Sequence, residues 1–271
     1  MEQCSLCLQY GVLRKSHLIP KSVYKTVGKL FPEKRESLVQ VTEKGALYTD
    51  RQVSIPLLCA DCEELFSKKG EQVVCKECYG GKGNFILRDK LKATSEIFTE
   101  GSKGWINPAI DAENTKLNYK AYLYFGASII WRTSVGKWPQ FRGTRRGCLG
   151  IYEEKIRRYL IGEIDFPSKV SLLIAVNNND EQDHYNSLIL FPNYAKMEGF
   201  HGHYFFIPGM VFFLMVGRMS GKLERMYREE NTSILFVENS LKTEAFLKTI
   251  PKGIFNAKGR LARKLDKVEN S

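Results

Sequence analysis

Six of the seven cysteines stand before residue 80, in three Cys-x-x-Cys pairs: Cys4/Cys7, Cys59/Cys62 and Cys75/Cys78. Cys148 stands alone. Two thiols two residues apart form a knuckle, a tight turn that aims both at one ion, and Zn²⁺ takes four such ligands in a tetrahedron. Two knuckles in one small module therefore predict a structural zinc held by Cys4, Cys7, Cys59 and Cys62. The long segment between them must fold back for this to happen. The third pair could replace a knuckle, join His17 on a second ion, or carry no metal. With no further pair to complete a site, it is read as holding no ion of its own.

The chain has no basic-then-apolar leader at its start and no apolar run approaching the ~20 residues of a membrane helix. A soluble, cytoplasmic protein is expected, where paired cysteines argue for metal rather than disulfides.

The cysteine-rich part ends abruptly, which predicts a module over 1–92, a linker over 93–118 containing Gly101, Gly104, Asn107 and Pro108, and a second domain over 119–271. In that domain Tyr122, Phe125, Ile129 and Ile130 have helical spacing, predicting a buried helix over 119–138 ended by Pro139. Ile151–Ile161 places Tyr152, Ile156, Tyr159 and Leu160 on one face and charges on the other, an amphipathic helix closed by Gly162. Short apolar runs at 170–176, 187–191, 204–207, 211–216 and 233–237 predict strands. Residues 219–230 read as a charged loop or short helix, and the tail from Lys242 as basic and partly helical. The expected fold class is α+β: a zinc-ribbon-like module, then a helical segment, then a mostly antiparallel sheet.

The net charge is +11, from 41 Lys and Arg against 30 Asp and Glu. Such an excess favours polyanions, because a cation beside a phosphate releases a condensed counterion. Arg142, Arg145, Arg146, Arg157 and Arg158, with Lys155, cluster on a Gly-rich loop and the next helix and are the predicted nucleic-acid contacts. The partner expected is nucleic acid, DNA first, with a protein partner or a second copy of the chain as the other class, and no membrane. The sequence has no Walker-type phosphate loop and no serine-hydrolase elbow.

His17 follows the first knuckle by ten residues, in Ser16-His17-Leu-Ile-Pro20. Imidazole suits a base near neutral pH. From the residues alone, His17 is a general base, a fourth zinc ligand or a hydrogen-bonded structural histidine. Arg132, on the apolar helix, reads equally as a cation lining a cleft and as a helix-flank charge.

Cys4-x-x-Cys7, Ser16-His17-Leu-Ile-Pro20 and Leu58-Cys59-x-x-Cys62-Glu63-x-x-Phe66 together resemble the HNH (ββα-metal) endonuclease pattern. Segments Cys59–Phe66, Gly70-Glu71, Cys78-Tyr79, Phe85–Leu91 and Ser128–Arg132 also resemble a group of bacterial HNH-like zinc-ribbon proteins of no settled activity, over about two thirds of the chain. The resemblance implies a β-hairpin followed by a helix, with the four cysteines on structural zinc and His17 activating water to cleave a phosphodiester. It also implies a catalytic divalent cation. Where the family carries Asp or His as a ligand of that cation, before the base, this chain has Ser16. Glu63 and Glu71 (with Glu64 as an alternative) are the carboxylates that would hold Mg²⁺ or Mn²⁺. A metal-dependent endonuclease, in the setting of bacterial phage defence, is the expected function. A zinc-ribbon protein that binds nucleic acid or a partner without cutting is the alternative.

Overall fold

In a computed structural model, the described residues are 1–30, 39–42, 45–49, 51–80, 84–94, 117–139, 147–177, 188–197, 200–217, 232–237 and 257–263. The fold is α+β. A small ribbon pairs β1 (Glu2–Gln3) with β2 (Tyr10–Gly11), and a second pairs β3 (Arg14–His17) with β6 (Ser54–Leu58), both antiparallel. Helix α1 (Lys21–Leu30) leaves β3 after Pro20. Between these elements and β6 lie β4 (Val39–Thr42) and β5 (Gly45–Tyr48). From Ala60 the chain is helical to Cys78: α2 (Ala60–Phe66), a π turn (Ser67–Glu71) and α3 (Gln72–Cys78). Then come α4 (Ile86–Thr94), α5 (Tyr119–Val135), α6 (Tyr152–Ile161), β7 (Val170–Asn177), β8 (Leu188–Met197), β9 (Phe200–Ile207), β10 (Met210–Gly217) and β11 (Thr232–Val237).

The main sheet has seven strands in the order β11-β7-β10-β9-β8-β4-β5. It is mostly antiparallel, with β11–β7 and β4–β8 as its parallel pairs. Both faces are apolar because both are covered. Leu172, Ile174, Phe205, Phe212 and Leu214 share one core with α5. Tyr204, Phe206, Phe213 and Met215 make a second core on the other face with Val41 and Leu190, and Leu261 from the tail packs there. The β9–β10 connection is the two-residue turn Pro208-Gly209, in which Gly209 has φ +72°, a conformation that suits glycine. A Cβ there would also meet the Phe85 ring at 2.4 Å.

Helix α5 is buried all the way round from Ala121 to Ser134, as expected for a helix apolar on every face. It is shorter than the span 119–138. It ends at Val135, and the Trp138 indole N–H donates to the Arg132 carbonyl at 2.8 Å, satisfying an acceptor of the last turn. Helix α6 ends on Gly162 in the left-handed conformation, as the sequence suggested.

Two features go beyond the expected organisation. β4 and β5, which lie in sequence between the knuckles, belong to the main sheet through β4–β8 pairing. One continuous core also runs from Cys4 through Phe66, Leu91 and Trp131 to Val216, so packing crosses the expected linker. Most of 93–118, all of 219–230 and most of the basic tail lie outside the described residues; residues 260–263 form a helical turn.

Candidate functional site

The first knuckle is a turn closed by its own backbone. The Leu8 N–H donates to the Cys4 carbonyl at 2.9 Å and the Cys4 N–H to the Gln9 carbonyl at 2.9 Å. Leu8 has φ +62°, in the left-handed region that a branched side chain rarely enters. The second knuckle opens a helix: Cys59 sits just before α2 and Cys62 lies in its first turn. The Ser5 N–H donates to the Leu57 carbonyl at 3.1 Å and the Cys59 N–H to Cys4 Sγ at 3.3 Å, which brings the knuckles together.

The result is a four-thiol cluster. The Sγ atoms of Cys4, Cys7, Cys59 and Cys62 all lie within 4.8 Å of one another. Cys7 and Cys59 are 3.8 Å apart. A tetrahedron of sulfurs about 2.3 Å from a zinc ion has edges of about 3.8 Å, so the cluster fits such an ion. None of these cysteines is in a disulfide. Burial pushes the Cys62 and Cys7 thiols up. Burial acts on Cys4 in the same sense, but hydrogen bonds led by the Cys59 amide outweigh it and hold that thiol below its usual range. The four cysteines can therefore hold a metal ion such as zinc, which would convert the thiols to thiolates and release their protons.

His17 ends β3, opposite Ser54 of β6. Ser16, fully buried, turns to the other side and donates its hydroxyl to Glu63 Oε1. Arg132 reaches in from α5. It is 1% exposed; Nη1 donates to the His17 carbonyl at 2.6 Å, Nη2 pairs with Glu71 Oε1, and the guanidinium lies 4.8 Å from the Phe66 ring centroid. Residues from β3, α2, the π turn and α5 thus meet. The π turn helps to align them. An α-helix advances about 100° per residue, so eight residues would leave Glu71 about 80° past Glu63. The wider π turn winds less per residue and takes back part of that angle.

Burial pushes the His17 imidazole below its usual range. Glu63 and Glu71 pull it up but do not cancel this, and Lys21 and Arg132 add to the downward push. A neutral ring, able to accept a proton, is the resting state near pH 7. No hydrogen bond to the ring occurs among the described residues, and His17 remains partly exposed.

The other predicted residues fall in different places. Arg157 is not an outward phosphate contact. It is 8% exposed, clasped by Glu154 through Nε at 2.7 Å and Nη2 at 2.8 Å, and its Nη1 donates to the Leu6 carbonyl inside the first knuckle at 2.6 Å. Arg158 is half-exposed and paired with Glu163 at 3.0 Å. Arg142, Arg145 and Arg146 lie outside the described residues. Glu64 pairs with Lys68 on the surface. Cys75 meets the Ser22 hydroxyl at 3.2 Å, and burial pushes its thiol up to about 11. Cys78 is fully buried against Tyr122 and Met210.

The predicted catalytic cation is not supported. Among the described residues the four cysteines are the only group of three or more ligand side chains close enough to share an ion. Glu63 already accepts from Ser16, and Glu71 from Arg132. Arg132 is the site residue whose role the sequence left open. Its signal is a charge inside a mostly apolar helix whose other charged residue, Lys120, lies at the exposed start, so Arg132 must find a partner inside.

Among the described residues no helix is long and apolar enough to cross a membrane. No protein-family model matches the chain, nor does any curated protein or solved structure.

Proposed function

We propose that the chain is an HNH-like hydrolase of nucleic-acid phosphodiesters, with zinc in the four-cysteine cluster as scaffold and His17 as general base. The observation that carries this reading is a partly open imidazole at a strand end, fixed through its own carbonyl by a buried arginine, with the Glu63 and Glu71 carboxylates near enough to act on its charge. The antiparallel pair β3–β6, with α2 directly after β6, keeps the two strands and helix that the HNH resemblance implies and supports it further, although α1, β4 and β5 are inserted between the two strands. In the reaction, a water oxygen bonds to phosphorus as its proton passes to His17. The phosphorus–oxygen ester bond breaks, and the leaving oxygen takes a proton from His17 or solvent. No step is assigned to a second metal, because Glu63 and Glu71 are engaged by Ser16 and Arg132.

Those same two pairs favour a second reading, a zinc-organised module that binds nucleic acid without cutting it. Plasmid cleavage by wild type and His17→Ala, with and without added Mg²⁺ or Mn²⁺, decides between them. Cleavage abolished in His17→Ala is the expected result. Wild type that retards DNA in a gel under every condition yet never nicks it would sink the hydrolase reading.

A further inference from the structure

The residues from Gln3 to Pro32 include no Asp or Glu, yet they carry Arg14, Lys15, Lys21, Lys25 and Lys29. The structure gathers part of this set around His17. A register shift between Arg14 and Lys15 in β3 interrupts strict alternation and leaves both exposed. Alternation then resumes: Ser16 is buried, and His17 returns to the side of Lys15. Lys21 opens α1 and lies near enough to act on the charge of His17. Lys25, one turn further on, shares its helix face. Lys21 and Lys25 are exposed.

None of Arg14, Lys15, Lys21 and Lys25 has an ion-pair partner among the described residues. Other exposed cations, among them Lys76, Lys120 and Lys137, also lack one among the described residues, but Lys21 lies close enough to act on the charge of His17 and Lys15 shares its side of β3. Lys68 is paired with Glu64, Arg132 with Glu71, Arg157 with Glu154 and Arg158 with Glu163. A cation already neutralised by a carboxylate releases little on meeting a phosphate; an unpaired one retains its full charge for it. Within β3 and α1, Tyr24 is buried, and the partly exposed His17 imidazole is the one ring presented among the described residues. The row therefore lacks the succession of stacking rings that single strands use.

We propose that Lys15, Lys21 and Lys25 form a track for the phosphate backbone of duplex DNA, running past His17. The proposal rests on the nucleic-acid reading above, and it moves the binding surface from the arginines around 142–158 to β3 and α1. The track carries no base-reading group, so binding through it is independent of sequence.

The test is fluorescence anisotropy with a labelled 20-base-pair duplex and the full-length, metal-loaded chain carrying His17→Ala to prevent cleavage. Lys15→Gln/Lys21→Gln/Lys25→Gln is compared with Lys68→Gln/Lys155→Gln/Arg158→Gln, which removes the same charge elsewhere. The first triple variant is expected to weaken binding about tenfold or more and to lower the slope of log affinity against log salt by about one per lysine; the second leaves the slope within about one of the parent. Lys15→Gln and Lys25→Gln alone, at exposed positions, each lower it by about one and serve if the triple variant is unstable. Equal effects of the two triple variants, or a parent that does not bind the duplex, would overturn the track. Binding that depends on the lysines in a chain that never cuts DNA would sink the hydrolase and leave the track standing. Cleavage by a chain whose binding ignores the lysines would do the reverse.

Discussion

The four-cysteine cluster and the His17 cluster are neighbours that both draw on the segment around β6 and α2, but they balance charge in opposite ways. The thiols have little but one another and a few amides, and a metal ion bound by all four would relieve their conflicting proton affinities. Around His17 the cation is built in. Arg132 meets Glu71 and the His17 carbonyl, and Ser16 meets Glu63. One centre offers four ligands for a metal ion; the other is complete as a protein network. Removing metal should therefore damage the first directly and the second only through the backbone they share.

The largest effect tests that dependence. Cys59→Ser should abolish stoichiometric zinc by elemental analysis and cost several kcal/mol of stability, because binding energy at a structural site is folding energy. A variant that melts like wild type would mean the cluster is no structural metal site. Next comes Arg132→Met. It strands Glu71 at 18% side-chain exposure and should cost about 3 kcal/mol by denaturant unfolding while leaving zinc content intact. Adding Glu71→Gln should recover part of the loss, and strict additivity would show that the pair is not coupled.

A smaller effect concerns pH. The folded-state pKa of His17 lies below its reference of 6.5, so the unfolded chain takes up the proton first as pH falls. The His17 contribution to stability is thus complete above about pH 6.5 and is lost as pH drops through the folded value. His17→Gln should flatten the stability profile across that window, with no change expected at pH 8. The smallest is Leu8→Gly. Relief of about 1–2 kcal/mol of left-handed strain outweighs about 0.5–1 kcal/mol of added chain entropy. The expected gain is about 0.5 kcal/mol, read as a higher melting temperature.

The parts of this molecule that were readable in advance are those whose cause is local. Two-residue spacing marks the knuckles, apolar runs mark β7 to β11, and three-to-four spacing marks α5 and α6. Contacts across long sequence separation left less trace. Val39–Thr42 is too short and too ordinary to reveal that its partner is Leu188–Leu190. Arg157 reads as one more cation on a charged helix face, and nothing near it announces a carbonyl at Leu6, 151 residues away. The Glu71 pairing required both the π turn and an arginine from another helix. Glu63 was more accessible, because its neighbour Cys62 already pins that turn of helix.

The placement of β4 and β5 within the main sheet has a consequence for the order of events on the ribosome. The two strands are made early, but β4 must wait for β8, roughly 150 residues later, before it has a sheet to join. At about 5–20 residues per second that is roughly 8–30 s. A lone two-stranded hairpin is marginal in water. During this interval the second knuckle has already emerged, so the metal can close the loop around the hairpin first. An ion captured early would then hold the unpartnered strands in a tethered loop until the rest of the sheet is synthesised.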